Sequence, residues 1–325
     1  MYSIGIDLGG TNIAVGICDA DYNILYKTKG KTGAKNGPDA IVSTMARLTD
    51  DLMKKSGISY EEISFVGIGT PGIANSDTGI VEYSCNLPFR NFPLAAEFKK
   101  QIPVERILIA NDANAAALAE ALVGAARGTK TSLAVTLGTG VGGGIIIDGK
   151  IFSGGASFAG GEIGHTVIVH GGKRCGCGRR GCWEAYSSAP ALKEITKERM
   201  EELKKLGRTS LLFDIAKADG KVGTRTAFKA MRANDPYGKE IVLQYIDYLA
   251  TGIVDMINIF QPEVITVGGG VSGEGDDLII PLREAVKKEL NGSAGADRIR
   301  ICRATLGNDA GIVGAAGLGR QNGKI

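Results

Sequence analysis

Residues 3–19 read SIGIDLGGTNIAVGICD, and residues 132–148 read SLAVTLGTGVGGGIIID. The two stretches align without a gap. Their identical pairs are Ser3 with Ser132, Leu8 with Leu137, Gly9 with Gly138, Ile17 with Ile146, and Asp19 with Asp148. Each copy predicts a strand, a glycine turn and a second strand. This shared form favours a duplicated domain over a chance likeness between two apolar strands.

Each glycine turn is a candidate phosphate site. Because glycine has no Cβ, backbone N–H groups in such a turn can point at phosphate oxygens, and two copies could hold one polyphosphate from both sides. A tight β-hairpin without a ligand is the alternative for either turn. Asp7 is placed to hold Mg²⁺, directly or through water, unless it only forms the turn. The predicted phosphate contacts are Gly9, Gly10, Thr11, Asn12, Gly138, Thr139 and Gly140.

Two other phosphate motifs are excluded. The sequence contains no G-x-x-x-x-G-K-[ST], so a P-loop is absent. Gly138, Gly140 and Gly143 match G-x-G-x-x-G, but a dinucleotide fingerprint must open a helix. Residues 145–149 instead predict a strand and a turn, which argues against an NAD site.

Apolar strand-like runs alternate with amphipathic segments, which predicts the α/β class. The predicted strands are residues 3–8, 13–18, 65–69, 106–110, 132–136, 145–147 and 263–267. The predicted helices are residues 39–55, 113–126, two or three across 189–233, then 239–260, 281–290 and 311–320.

Composition narrows the class of protein. The 325 residues are enough for two domains, and the net charge of +3 is dispersed, which gives no indication of a nucleic-acid partner. We find no signal peptide and no apolar run near the roughly 20 residues of a membrane helix. The six cysteines are too few and too clustered for a disulfide framework, so we expect reduced thiols in the cytoplasm.

Asn111-Asp112 stands where a buried strand meets a helix. A carboxylate at such a junction is held rigidly, and it could accept the proton of an attacking hydroxyl during phosphoryl transfer. The alternative is that Asn111 or Asp112 only caps the helix.

A Cys/His cluster follows Glu162. His165, Cys175, Cys177 and Cys182 match a tetrahedral Cys₃His zinc site, which would be structural because it leaves no open position. A redox pair of Cys175 and Cys177 is a weaker alternative. Glu162 and Glu184 flank the cluster, and their carboxylates suit adjacent sugar hydroxyls.

Taken together, these motifs resemble the ROK family (repressors, open reading frames, kinases) of the actin-like ATPase superfamily, essentially from end to end. The matching pieces are IGIDLGGT at 4–11, NDANA at 111–115, LGTGVGGG at 137–144, EIGH at 162–165 and CGCGRRGCWE at 175–184. The last string is highly specific.

The resemblance implies an actin-like ATPase (ribonuclease H-like) fold with two duplicated domains closing over ATP and sugar at an interdomain cleft. It implies a small domain of residues 1–115 plus about 308–325, and a large domain of residues 116–307 carrying zinc and dimer contacts in a homodimer or homotetramer. Asp112 stands at the position of the family's catalytic base. Further implied sites are Gly72, Asn86, Asn111, Glu162, His165 and Glu184 for the sugar, and Gly268, Gly269 and Gly270 for adenosine.

Within that family the sequence is similar to bacterial glucokinases, which implies phosphorylation of the 6-hydroxyl of glucose by ATP and Mg²⁺. Trp183 stands where those glucokinases often carry an aliphatic residue, and Tyr186 is also bulky, so their effect on a sugar pocket is an open question. Alternative substrates are N-acetylmannosamine, N-acetylglucosamine, fructose and allose. A sugar-responsive regulator and a non-enzymatic actin-like ATPase are further alternatives, although we expect no DNA-binding segment.

Overall fold

The computed structural model describes residues 1–155, 157–290 and 298–322. The strands are β1 (Tyr2–Leu8), β2 (Asn12–Cys18), β3 (Ile24–Lys31), β4 (Ile63–Thr70), β5 (Ile73–Asn75), β6 (Ile80–Tyr83), β7 (Arg90–Phe92), β8 (Ile107–Asn111), β9 (Ser132–Leu137), β10 (Val141–Ile147), β11 (Lys150–Ile151), β12 (Val264–Gly268) and β13 (Arg300–Arg303). The α-helices are α1 (Pro38–Ser56), α2 (Leu94–Lys99), α3 (Asp112–Leu122), α4 (Glu184–Ser187), α5 (Ala189–Lys205), α6 (Leu211–Ala218), α7 (Thr226–Arg232), α8 (Pro236–Phe260), α9 (Asp276–Leu290) and α10 (Ala310–Ala316).

Two five-stranded sheets have the same strand arrangement. Their orders are β3-β2-β1-β4-β8 and β11-β10-β9-β12-β13, so each of the two repeated hairpins supplies the second and third strands of a sheet. β3 pairs antiparallel with β2, as β11 does with β10. At the other edge, β4–β8 and β12–β13 are both parallel. The predicted duplication is therefore confirmed. A third sheet, β5-β6-β7, is small and antiparallel.

Contacts divide the chain into two compact units. The first unit contains Met1–Ala134, Gly144–Gly161 and Thr305–Ile325, and the second contains Val135–Gly143 and Glu162–Ala304. All of α3 belongs to the first unit, whereas the predicted boundary after residue 115 falls inside that helix. The functional domains at 1–115 with 308–325, and 116–307, stay a prediction. Residues 323–325 lie outside the described residues.

The first unit has a core of aliphatic side chains from β1, β2, β4 and α1. Ile4, Ile6 and Leu8 of β1 are fully buried. α1 buries Ile41, Met45, Leu48 and Leu52 on one face at helical spacing, begins with Pro38 at its first turn, and ends at Gly57, whose φ is +71°. No α-helix among the described residues is both long and apolar enough to cross a membrane.

Some predicted boundaries were wrong. α9 begins at Asp276 rather than at Pro281. The proline removes one N–H donor from the helix, and the burial of Leu278 and Ile279 before it offsets that loss. α3 ends at Leu122 rather than at Ala126. The predicted helix over 311–320 is α10 followed by a 3₁₀ turn at Leu318–Asn322.

Candidate active site

The first glycine turn lies between β1 and β2 and is closed by backbone hydrogen bonds. The N–H of Gly9 donates to the carbonyl of Asn12 at 2.9 Å, and the buried Thr32 hydroxyl donates to the carbonyl of Gly9 at 2.6 Å. Gly10, Thr11 and Asn12 are exposed. The turn is thus held from behind while its outer face stays open to a ligand.

Asp7 stands at the end of β1, partly buried and close to a second carboxylate. Burial and the negative charge of Asp112 raise the pKa of Asp7 to about 6. Burial also raises the pKa of Asp112. Gly311 of α10 makes room for Asp7, since a Cβ at that position would lie 2.4 Å from the Asp7 carboxyl carbon. A carboxylate such as that of Asp7 is an oxygen ligand of the kind that Mg²⁺ prefers, so Asp7 fits that ion.

Replacing Asp7 with Asn should stabilise the ligand-free protein more at pH 7.5 than at pH 4.5, where about 1 kcal/mol of the gain remains. The raised folded-state pKa means that the protonated form contributes stability below the ordinary value of 3.8, and that this contribution is lost as the pH rises through about 6. Removing the charge should therefore recover up to about 3 kcal/mol at pH 7.5. Urea unfolding at both pH values measures this. The exposed Asp21→Asn is the matched control, and an equal gain at both pH values would contradict the stated cause.

Asn111 caps α3, and the neighbouring Asp112 accepts one backbone N–H of the same turn. The Asn111 Oδ1 accepts the N–H groups of Ala113 and Asn114 at 2.9 and 3.2 Å, and its Nδ2 donates to the carbonyl of Gly72 at 3.0 Å. The Asp112 Oδ1 accepts the N–H of Ala113 at 2.8 Å. The capping alternative thus applies to Asn111, although the Asp112 carboxylate also accepts a backbone N–H at the start of the helix.

Gly72 and Asn86, the two other sugar-side residues of this unit, lie near these groups. Gly72 has a φ of +99°, and a Cβ there would lie 2.1 Å from the carbonyl oxygen of Tyr83, so only glycine fits. The exposed Asn86 lies against the phosphate turn, because a Cβ on Gly10 would be 3.4 Å from the Cβ of Asn86. The candidate sugar and phosphate residues of the first unit are therefore adjacent.

The second glycine turn, in the second unit, is tied to Glu184. The Glu184 Oε2 accepts the N–H of Val141 at 3.1 Å, and a Cβ on Gly140 would lie only 2.2 Å from that oxygen. The N–H of Gly138 donates to the carbonyl of Gly140 at 3.0 Å, and Thr139 is exposed. Glycine at position 140 is required for this close approach.

Gly268 ends β12, Gly269 and Gly270 follow it, and this turn packs on the strand that leads to the second glycine turn. Gly269 has a φ of +81°, and a Cβ there would lie 2.5 Å from the carbonyl oxygen of Leu137. Since Gly138 follows directly, the candidate adenosine-side and phosphate residues of the second unit are neighbours. Ser272 holds the turn by donating its hydroxyl to the carbonyl of Gly269 at 2.8 Å.

The Cys/His cluster is assembled. The ligand atoms of His165, Cys175, Cys177 and Cys182 all lie within 4.8 Å of one another. Cys177 Sγ and Cys182 Sγ are 3.7 Å apart, and Cys175 Sγ is 3.6 Å from His165 Nδ1. A tetrahedral zinc ion requires about 3.8 Å between two sulfurs and about 3.6 Å between sulfur and nitrogen. The four residues therefore fit zinc.

Glu162 and Glu184 approach the cluster differently. Glu162 is exposed and precedes the 3₁₀ turn Ile163–His165, whose last N–H donates to the carbonyl of Glu162 at 3.0 Å. Glu184 lies beside the cluster, with the Cys175 thiol donating to its Oε1 at 3.6 Å. His165 offers Nδ1 to the cluster, which leaves Nε2 for another partner.

Comparisons with known proteins decide the family. The profile of the ROK family matches residues 3–322. The chain belongs to the ROK family. It is 36% identical to the glucokinase of Thermotoga maritima over 316 residues, covering 97% of this chain and 96% of the relative. It is also 36% identical to the glucokinase of Halalkalibacterium halodurans over 320 residues, covering 98% and 94%.

A solved ROK structure confirms the fold. The ROK family glucokinase from Streptomyces griseus in complex with glucose and AMPPNP superposes with a TM-score of 0.79 at 32% identity, covering 99% of this chain and 100% of that one. The predicted actin-like ATPase fold is thus correct.

Trp183 and Tyr186 are not exposed in this ROK chain. Trp183 is fully buried against α8, where a Cβ on Gly252 would lie 2.1 Å from its ring. The Tyr186 hydroxyl accepts the N–H of Lys173 at 2.6 Å, and its ring lies 4.7 Å from that of Tyr248. Both side chains therefore anchor the segment around the Cys/His cluster to α8 within the second unit.

Sequence reasoning missed Lys31. It lies at the end of β3, is exposed, and donates its Nζ to Asn12 Oδ1 at 3.0 Å beside the first glycine turn. No motif marks this lysine. Its proximity to the turn depends on β3, a strand that sequence reasoning did not predict.

Proposed function

We propose that this chain transfers the γ-phosphoryl group of ATP to the 6-hydroxyl of glucose, forming glucose 6-phosphate and ADP. The supporting arrangement is in the first unit, where Asp112 lies near enough to Asp7 to raise its pKa and Asn86 lies against Gly10. A base, a metal ligand, a phosphate turn and a sugar-side amide are thus adjacent. The glucokinases to which the chain is similar favour glucose as the sugar.

Asp112 acts as the general base in this proposal. The 6-oxygen forms a bond to the γ-phosphorus, the bond from that phosphorus to the β,γ-bridging oxygen breaks, and the hydroxyl proton passes to the Asp112 carboxylate. Burial raises the pKa of Asp112, which makes it a better proton acceptor than a solvated aspartate. Base catalysis of this kind contributes about 10²–10⁴-fold, and positioning contributes the rest.

The sugar is held by hydrogen bonds from the candidate side chains. Carboxylates bind pairs of hydroxyls by charge-assisted hydrogen bonds, and amides bind them as donors and acceptors. The proposed contacts are Gly72, Asn86, Asn111, Asp112, Glu162, His165 and Glu184. Asn111 retains one N–H for this purpose, because its other amide hydrogen is bound to Gly72.

ATP is bound by the glycine turns. Gly9, Gly10, Thr11 and Asn12, together with Gly138, Thr139 and Gly140, contact the phosphates, and Gly268, Gly269 and Gly270 contact the adenosine side. Lys31 adds a positive charge beside the first turn. Asp7 holds Mg²⁺, which when bound neutralises charge on the transferred phosphate.

His165, Cys175, Cys177 and Cys182 hold one structural zinc ion. Burial raises the pKa of Cys175 to about 12, so clustered thiolates need a cation beside them. When bound, zinc supplies no chemistry and fixes the segment that carries Glu184. A cytoplasmic location and a homodimeric or homotetrameric state stay predictions.

A panel of sugars with ATP and Mg²⁺ tests the substrate. We expect kcat/KM for glucose to exceed the values for N-acetylmannosamine, N-acetylglucosamine, fructose and allose. The product's phosphate should be on the 6-oxygen, which phosphorus NMR with proton coupling identifies. Another sugar turning over faster than glucose would replace the substrate and keep the reaction. ATP hydrolysis independent of any sugar would overturn both.

A further inference from the structure

Glu120 is a buried carboxylate in the last turn of α3. It is 3% exposed, and four donors surround it. These are the N–H of Ala125 at 2.7 Å, the N–H of Thr305 at 2.9 Å, the hydroxyl of Thr305 at 3.2 Å and the N–H of Leu306 at 2.9 Å. Gly124 makes room for it, since a Cβ there would lie 2.2 Å from Oε2. A buried carboxylate is tolerated only when it is hydrogen-bonded, so the Glu120 carboxylate and its donors hold one another in place.

The two segments that Glu120 joins lead to the two carboxylates of the candidate site. α3 begins with Asp112, and residues 305–306 lead into α10, whose Gly311 lies against Asp7. The two helices also touch directly, since a Cβ on Gly314 would lie 1.7 Å from the carbonyl oxygen of Ala115. A shift of the 305–306 segment would therefore move α10 relative to both Asp112 and Asp7.

We propose that Glu120 is a positioning residue for phosphoryl transfer, fixing α3 against the start of α10 and thereby the separation of Asp112 from Asp7. It acts at a distance, because eight residues of helix place it about 12 Å along the axis from Asp112. The inference rests on the proposed function. A misplacement of about 1 Å at a reacting group costs about 100-fold in rate, so a small displacement has a measurable effect.

Glu120→Gln is the first test. Glutamine keeps the shape of glutamate, but its NH₂ group would face N–H or O–H groups that a carboxylate oxygen accepts in the parent protein. We expect kcat to fall about 10- to 100-fold while KM for glucose changes by less than about 3-fold. The Mg²⁺ concentration for half-maximal rate should rise, since Asp7 and Asp112 no longer keep their spacing.

Asp235→Asn is the matched control for lost stability. Asp235 is also buried and accepts the N–H groups of Gly238 and Leu211, both at 2.8 Å, but it caps α8 in the second unit. It should lower the unfolding temperature without changing kcat or the Mg²⁺ dependence. An equal fall of kcat in both variants would reduce Glu120 to a structural role.

Gly124→Ala is a second variant in case E120Q does not fold. It keeps the carboxylate charged and displaces it, and the same fall in kcat is expected. Wild-type kcat and Mg²⁺ dependence in these variants, with an active parent protein, would overturn the positioning role alone. A parent protein that phosphorylates no hexose would overturn the proposed function and this role together.

Discussion

Replacing Asp112 with Asn should lower kcat by about 10²–10⁴-fold and leave glucose affinity within a few fold. Asparagine has the shape of aspartate and can still accept the N–H of Ala113, as Asp112 Oδ1 does at 2.8 Å. It cannot take up a proton at neutral pH. The sugar contacts proposed for Asn111, Gly72 and Asn86 are unchanged, so binding and chemistry should separate.

The measurement is kcat and KM with saturating ATP and Mg²⁺, together with calorimetric titration of glucose into the variant. Asp39→Asn is the matched control, an exposed aspartate in the first turn of α1, and its kcat should equal that of the parent. Near-normal turnover of the Asp112 variant would show that another group accepts the proton. Loss of glucose binding along with turnover would make Asp112 chiefly a sugar ligand.

The fold was predictable where the sequence signal is local and apolar. The repeated hairpins put fully buried residues such as Ile4, Ile6 and Ile13 on short strands around a glycine turn, so alternation and turn chemistry agree. β3 was missed because all eight of its residues are exposed or only half buried, and β13 because it has only four residues. Such strands are specified by the neighbour with which they pair rather than by their own composition.

The candidate site was only partly predictable. Helix caps and general bases draw on the same residue types, so the sequence left Asn111 and Asp112 open. The hydrogen bonds of Asn111 show that it caps α3, while the role of Asp112 as base stays a prediction. Glu120 gave no signal, because its partner Thr305 lies 185 positions away in the chain. The orientation of Trp183 was equally undetermined, since it depends on a glycine of α8.

Replacing Cys182 with Ser should abolish zinc binding and disorder the segment around residues 171–181. That segment buries little apolar surface of its own, because Gly176, Cys177, Gly178, Arg179 and Arg180 are all exposed. Backbone hydrogen bonds hold it, such as Cys175 N–H to the Arg179 carbonyl at 2.9 Å and Gly181 N–H to the Lys173 carbonyl at 2.8 Å. A metal that binds with about 10–16 kcal/mol in comparable small sites would stabilise the segment further.

The expected results are about one zinc per parent chain by metal analysis, none in the Cys182 variant, and a lowered unfolding temperature that added zinc does not restore. Cys302→Ser lies outside the cluster and should keep both zinc and stability. A parent protein without zinc at full activity would instead favour the redox pair of Cys175 and Cys177.

The loss of zinc should affect the sugar more than ATP. Cys175 Sγ lies 3.6 Å from Glu184 Oε1, and that oxygen is a proposed acceptor for a sugar hydroxyl. A zinc-bound thiolate has no proton to donate, so zinc would keep Glu184 Oε1 available to the sugar. We therefore expect the Cys182 variant to raise KM for glucose at least about 10-fold while KM for ATP changes less. Equal changes in both constants would indicate general unfolding rather than loss of the Glu184 contact.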